Sequence, residues 1–193
     1  MREAEIQRDT KETSVHVRLN LDGNGNASID TGVGFFNHMM ELTAFHGSLD
    51  LDLHADGDLD VDDHHTIEDC GLALGTAFRN ASGDRKGIQR YGSVTLPMDE
   101  ALVNVSMDIS GRPYLVFNAS FDRDSIGMLS TEMIEEFFRA FAMNAGVSLH
   151  INLLYGKNDH HKAEAIFKAF GRCMKQAAEI TGTALPSTKG YLE

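Results

Sequence analysis

The sequence predicts an α+β protein built by internal duplication of a β-β-β-α-β-α unit. Three observations carry this. The motif Asp63-His64-His65-Thr66-Ile67-Glu68 returns as Asp159-His160-His161-Lys162-Ala163-Glu164, 96 positions on. Behind it, Ile67, Gly71, Leu74 and Phe78 are matched in register by Ala163, Phe167, Phe170 and Met174. Both stripes have the spacing of a helix face packed on a core. Apolar–polar alternation, the period of half-buried strands, marks Val15, Val17, Leu19 and Leu21 in one half and Val103, Val105, Met107 and Ile109 in the other.

In chain order, strands are expected over 3–10, 13–21 and 26–30. Asp22-Gly23-Asn24-Gly25 between the last two reads as a hairpin turn. A helix follows over 34–46. Leu49, Leu51 and Leu53 then alternate with polar residues in a strand over 48–54, and a second helix runs from His64 to about Asn80. The second half repeats this with strands over 91–98, 100–110 and 113–119, a helix over 131–145, a strand over 147–154 and a helix over 160–180. Phe36–Met40 aligns with Ile134–Phe138 at an offset of 98, so the second copy has lost two residues in the loop before its motif. Gly75 and Gly171 correspond. Polar residues 79–91 join the halves, which divide as 1–84 and 85–193 within one compact duplicated domain.

The chain has 193 residues, 42% of them hydrophobic, enough for one sizeable core. A net charge of −12 makes nucleic acid and anionic membranes poor partners. Cys70 and Cys173 lie inside helical patterns, far from any CxxC, and read as reduced thiols of a cytoplasmic protein. The N-terminal residues have no apolar leader, and no run reaches transmembrane length.

The doubled motif points to a binuclear metal site. Residues i and i+4 share a helix face, so His64 with Glu68, and His160 with Glu164, can each hold one ion. His65 and His161 are rotated by about 100° and point at a different ion or a different subunit. His38 and its repeat-mate Glu136 approach these helices equivalently. The set suits Zn, Fe or Mn; so many imidazoles argue against Mg or Ca, and the absence of clustered thiolates argues against structural Zn. A second constellation is basic: Arg85, Lys86, Arg90, Arg112 and Ser187-Thr188-Lys189-Gly190, types that suit a phosphate. The alternatives are a di-metal hydrolase of small phosphate esters, which shares both sets of residues, and a non-catalytic metal-binding oligomer, which would have no use for Arg90, Arg112 and Lys189.

The chain strongly resembles the imidazoleglycerol-phosphate dehydratase family almost end to end. Arg8–Thr13, Thr31–Met39, Gly57–Asp69, Pro97–Glu100, Asp108–Pro113, Asn158–His161 with Glu164, Phe167–Phe170 and Pro186–Gly190 carry the resemblance. It implies two α+β halves, each a four-stranded sheet backed by helices, and a hollow homo-oligomer of about 24 subunits with metal sites shared between chains. It implies two Mn²⁺ per chain, held by His38, His64, His65, Glu68, Glu136, His160, His161 and Glu164, with Glu136 standing where the family usually has His. Contacts to a small phosphate substrate map onto Glu12, His38 through His46, Arg90, Arg112, Lys168, Ser187, Thr188 and Lys189; Thr188 replaces the family's Ser. The reaction is dehydration of imidazole glycerol phosphate to imidazole acetol phosphate in histidine biosynthesis. Its C–H is poorly acidic until the neighbouring hydroxyl leaves, so the reaction needs Lewis acids on the ring and a carboxylate to move protons. Glu12 and Glu164 are the candidates, with their acid and base roles undivided.

Overall fold

The computed structural model describes residues 2–192. Strands β1 (Glu3–Asp9), β2 (Thr13–Asn20), β3 (Ala27–Asp30) and β4 (Asp50–Gly57) form one sheet in the order β1-β2-β4-β3. Helices α1 (Gly34–Gly47) and α2 (His64–Ala81) pack on it. The second unit repeats the plan. Strands β5 (Tyr91–Met98), β6 (Ala101–Asp108), β7 (Tyr114–Asn118) and β10 (Ser148–Tyr155) lie in the order β5-β6-β10-β7, backed by α3 (Glu132–Ala145) and α4 (Asp159–Ala178). A short hairpin, β8 (Ser125–Ile126) with β9 (Leu129–Ser130), completes the elements.

The alternating residues of β2 and β6 lie buried on one face of each sheet, as a half-buried strand requires. The helices meet between the sheets, α1 against α4 and α2 against α3, around Phe36, Phe137, Phe138, Phe141, Phe167 and Phe170, all with no exposed surface. Gly75 and Gly171 sit at these two crossings. A Cβ on Gly75 would come within 2.6 Å of the Phe141 carbonyl oxygen, and one on Gly171 would strike that of Thr43. Phe141 and Thr43 are themselves repeat-mates, so both crossings are one design used twice.

Two expectations need correction. Asp22–Gly25 does not close a hairpin: β4 lies between β2 and β3, and β3 pairs with it in parallel. The turn is instead tied to Asp50, whose Oδ1 accepts from the Asn24 and Asn26 amides at 2.9 and 3.1 Å. The chain also carries an unforeseen insertion. Three residues join β3 to α1, whereas thirteen join β7 to α3 and include the β8–β9 hairpin. Val15, Val17 and Leu19 accordingly match Val103, Val105 and Met107 at an offset of 88, before the offset of 98 takes over in the first helix of each unit.

Candidate metal centre and phosphate cavity

Each His-His pair occupies the first turn of its helix. Asn158 caps α4, its side-chain oxygen accepting from the amides of His160 and His161 at 2.9 and 3.3 Å. Asp62 accepts from the His64 amide at 2.8 Å. The motif aspartates are buried braces for the insertion. Asp63 accepts from the Ser130 amide and hydroxyl at 2.6 and 2.8 Å; Asp159 accepts from the amides of Asp122 and Arg123 and pairs with buried Lys162 at 2.8 Å. The two histidine turns are thus held against one loop.

The packing of α1 on α4 brings His38, His160 and Glu164 together, with one ligand atom of each within 4.8 Å of the others. Glu164 is buried, with Oε2 at 3.1 Å from His160 Nε2 and Oε1 at 2.5 Å from Lys168 Nζ. Burial opposes its ionisation, but Lys168 and then His160 outweigh burial and hold the carboxyl below its usual range. Such a group stays an anion, as a ligand or base must. Two imidazoles with one carboxylate, and no thiolate, fit a divalent cation such as Mn²⁺.

The mirror set, His64, Glu68 and Glu136, is less gathered. His64 Nε2 lies 3.8 Å from Glu68, and the side chain of Glu136 is drawn to Arg139 at 3.2 Å, which Glu135 also holds at 2.6 Å. Among the described residues only the first trio closes to metal-binding distances. The physical reason is the exchange of an imidazole for a carboxylate beside a guanidinium. In the other half Arg139 is replaced by Glu41, 3.9 Å from His38.

His65 and His161 each donate from Nδ1 to a carboxylate: Asp58 at 3.0 Å and Glu100 at 2.7 Å. These hydrogen bonds raise both imidazole pKa values against the opposing effect of burial. Glu12 lies exposed, 3.9 Å from His65 Nε2. His46, at the far end of α1, lines a separate cleft with Arg2, Arg172 and Lys175, and burial followed by the charges of Lys168 and Arg172 lowers its pKa. The chain does not bring it into the trio.

The basic residues converge elsewhere. Arg90, Ser110, Arg112, Ser187, Thr188 and Lys189 line a cavity of about 240 Å³. Arg90 is committed to structure: it pairs with Asp108 at 2.7 Å, donates to the Pro186 carbonyl at 2.9 Å and so anchors the tail. Arg112 and Lys189 make no ion pair among the described residues. Asp84 holds Lys86 at 2.8 Å away from this cavity. The cavity adjoins the Asp108 end of β6, whereas Glu100 and His161 sit at its Ala101 end. Eight residues of strand separate them by about 23 Å.

Sequence reasoning missed Asp58, Glu100, Asp63, Asp159 and Arg139 as shapers of the site. The carboxylates flanking each motif were the only signal available.

A family model described as imidazoleglycerol-phosphate dehydratase matches residues 31–174. Relatives bearing that name include one from Clostridioides difficile (strain 630), 56% identical over 192 residues and covering 100% of both chains. Another, from Oceanobacillus iheyensis, is 54% identical, again with 100% of both covered. The crystal structure of the Staphylococcus aureus N315 imidazoleglycerol-phosphate dehydratase superposes with a TM-score of 0.82 at 43% identity, covering 94% of this chain and 99% of that one. The Pyrococcus furiosus structure in complex with (S)-C348 gives 0.84 at 34% identity, covering 97% and 100%.

Proposed function

The chain belongs to the imidazoleglycerol-phosphate dehydratase family, and on that premise we propose how it works: with two Mn²⁺ per chain, in active sites completed between copies of the chain in the cytoplasm. The reaction itself, the hydro-lyase step of histidine biosynthesis, follows from membership. The convergence of His38, His160 and Glu164 carries the metal reading. His64, Glu68 and Glu136 would hold the second ion, and His65 and His161 would reach ions held mainly by a neighbour. No helix of the described residues is long and apolar enough to cross a membrane.

These residues would hold a divalent cation, which would supply Lewis acidity for loss of the hydroxyl. The chain's own groups do the rest. Arg112, Lys189 and the Ser187 and Thr188 hydroxyls grip the phosphate, while Arg90 holds the tail in place. Lys168 and His160 keep Glu164 ionised. Glu12, unencumbered and near His65, moves the proton. About 23 Å of strand separates a chain's phosphate cavity from its own His161, farther than an imidazole ring on a phosphorylated three-carbon chain can span. That mismatch supports a homo-oligomer, of about 24 subunits by family resemblance.

Metal-depleted protein titrated with Mn²⁺ tests the reading. Two ions should bind, the one at the Glu136 set about tenfold or more weaker in line with its altered ligand, and ketone should form without release of inorganic phosphate. Glu136→His should tighten the weaker site. Saturation at one ion, or phosphate release, would reject the proposal.

A further inference from the structure

The duplication sets a carboxylate beside the second histidine of each pair, but the halves use different ones. Glu12 and Glu100 are repeat-mates: each immediately precedes the matching strand, β2 from Thr13 and β6 from Ala101. Glu100 is wholly occupied. Its Oε2 accepts from His161 Nδ1 at 2.7 Å, and its Oε1 accepts from the amides of Lys157 and Asn158 at 3.1 and 2.7 Å. Those bonds, the Asn158 amide first and His161 next, push its carboxyl down to about 2.

At His65 this task belongs to Asp58, whose two oxygens stand 3.2 and 3.0 Å from Nδ1. Asp58 lies in the loop that is two residues longer than its counterpart. Continuing the offset of 98 from β4 and β10, its equivalent is Gly156, which has no side chain. Glu12 is therefore left over: its carboxylate is mostly exposed and its nearest charged neighbour is His65 Nε2 at 3.9 Å.

An ionised carboxylate can only accept, so the ring nitrogen facing it carries the proton and the other keeps the lone pair. At both histidines that other nitrogen is Nε2, which approaches only carboxylate oxygens beyond hydrogen-bond reach, Glu12 at 3.9 Å and Asp99 at 3.7 Å.

We infer that Asp58 and Glu100 are equivalent positioning residues, fixing His65 and His161 as Nδ1–H tautomers with Nε2 free to ligate, and that Asp58's taking this role is what releases Glu12 for proton transfer. The inference rests on the metal reading of these histidines given above.

Ring-nitrogen NMR shifts of the metal-free protein, recorded above the histidine titration, test it without turnover. Wild type should show Nδ1–H at both residues. Glu100→Ala should convert His161 alone, and Asp58→Ala His65 alone, toward the Nε2–H form. By calorimetry each variant should bind Mn²⁺ about 10–100-fold more weakly. Glu12→Ala should bind Mn²⁺ within about twofold of wild type yet lose about 10²–10⁴ in kcat. Should the alanine variants misfold, Glu100→Gln keeps an acceptor for Lys157 and Asn158 but turns an amide NH₂ toward His161 Nδ1, and His161 should again move toward the Nε2–H form. Unchanged tautomers in these variants, or a metal loss in Glu12→Ala as large as in Glu100→Ala, would overturn the inference. Absence of Mn²⁺ binding to wild type alongside the expected tautomers would instead fail the metal reading alone.

Discussion

Arg112 and Lys189 illustrate what a charged residue does when it has no ion-pair partner among the described residues. Both face a small cavity without a carboxylate partner among the described residues, whereas neighbouring Arg90 is locked to Asp108. Arg112→Ala and Lys189→Ala should raise KM about tenfold or more each, with a fall in kcat as well if the phosphate anchor also positions the reacting carbons. Steady-state kinetics check this, and unchanged KM in both would return them to solvated charge. Arg90→Ala should instead loosen the tail and lower stability together with activity. The trio His38, His160 and Glu164 was legible in the sequence, because the helical repeat and the doubled motif fix one face of α4 and one position on α1. Asp58 and Glu100 were not. They act on the histidines from other loops, and no local period reports which loop a strand end will face.

At the scale of elements, periodicity located every strand and helix that buries a face, usually within three residues. It could not tell which strands pair: the glycine-rich turn after β2 is real, yet β4 fills the place beside it because Asp50 anchors the turn and leucines on β4 complete the buried face. Nor could it reveal β8 and β9, whose two-residue strands are too short to alternate. The equivalence of Gly75 and Gly171 was visible as a bare match; its meaning required the crossings. Gly75→Ala and Gly171→Ala should each destabilise the protein by about 1–3 kcal/mol, since the added methyl meets partner-helix backbone that cannot rotate away. Denaturant unfolding measures it. If either variant gains stability, as helix propensity alone would favour, the close approach is not what requires glycine there.

Across the whole molecule, His161 and the cavity of Arg112 and Lys189 lie at opposite ends of β6, and the proposed function accordingly has working sites form between chains. Chelation at neutral pH should release smaller species, read by light scattering, and Mn²⁺ should rebuild the particle. Chains carrying Glu12→Gln and chains carrying Arg112→Ala, each impaired alone, should when mixed, reassembled and assayed at substrate well below KM recover about a quarter of wild-type activity if the two residues of a site come from different copies. No recovery would place both in one chain. The pairing of α1 with α4 and α2 with α3 has a further consequence, felt during synthesis. The face of α1 that meets α4 has nothing to cover it until residues 159–178 have been made, so that part of the first half's apolar surface stays open until nearly the whole chain is delivered. A fragment ending at the repeat boundary should therefore expose that face and aggregate, which light scattering of residues 1–84 checks.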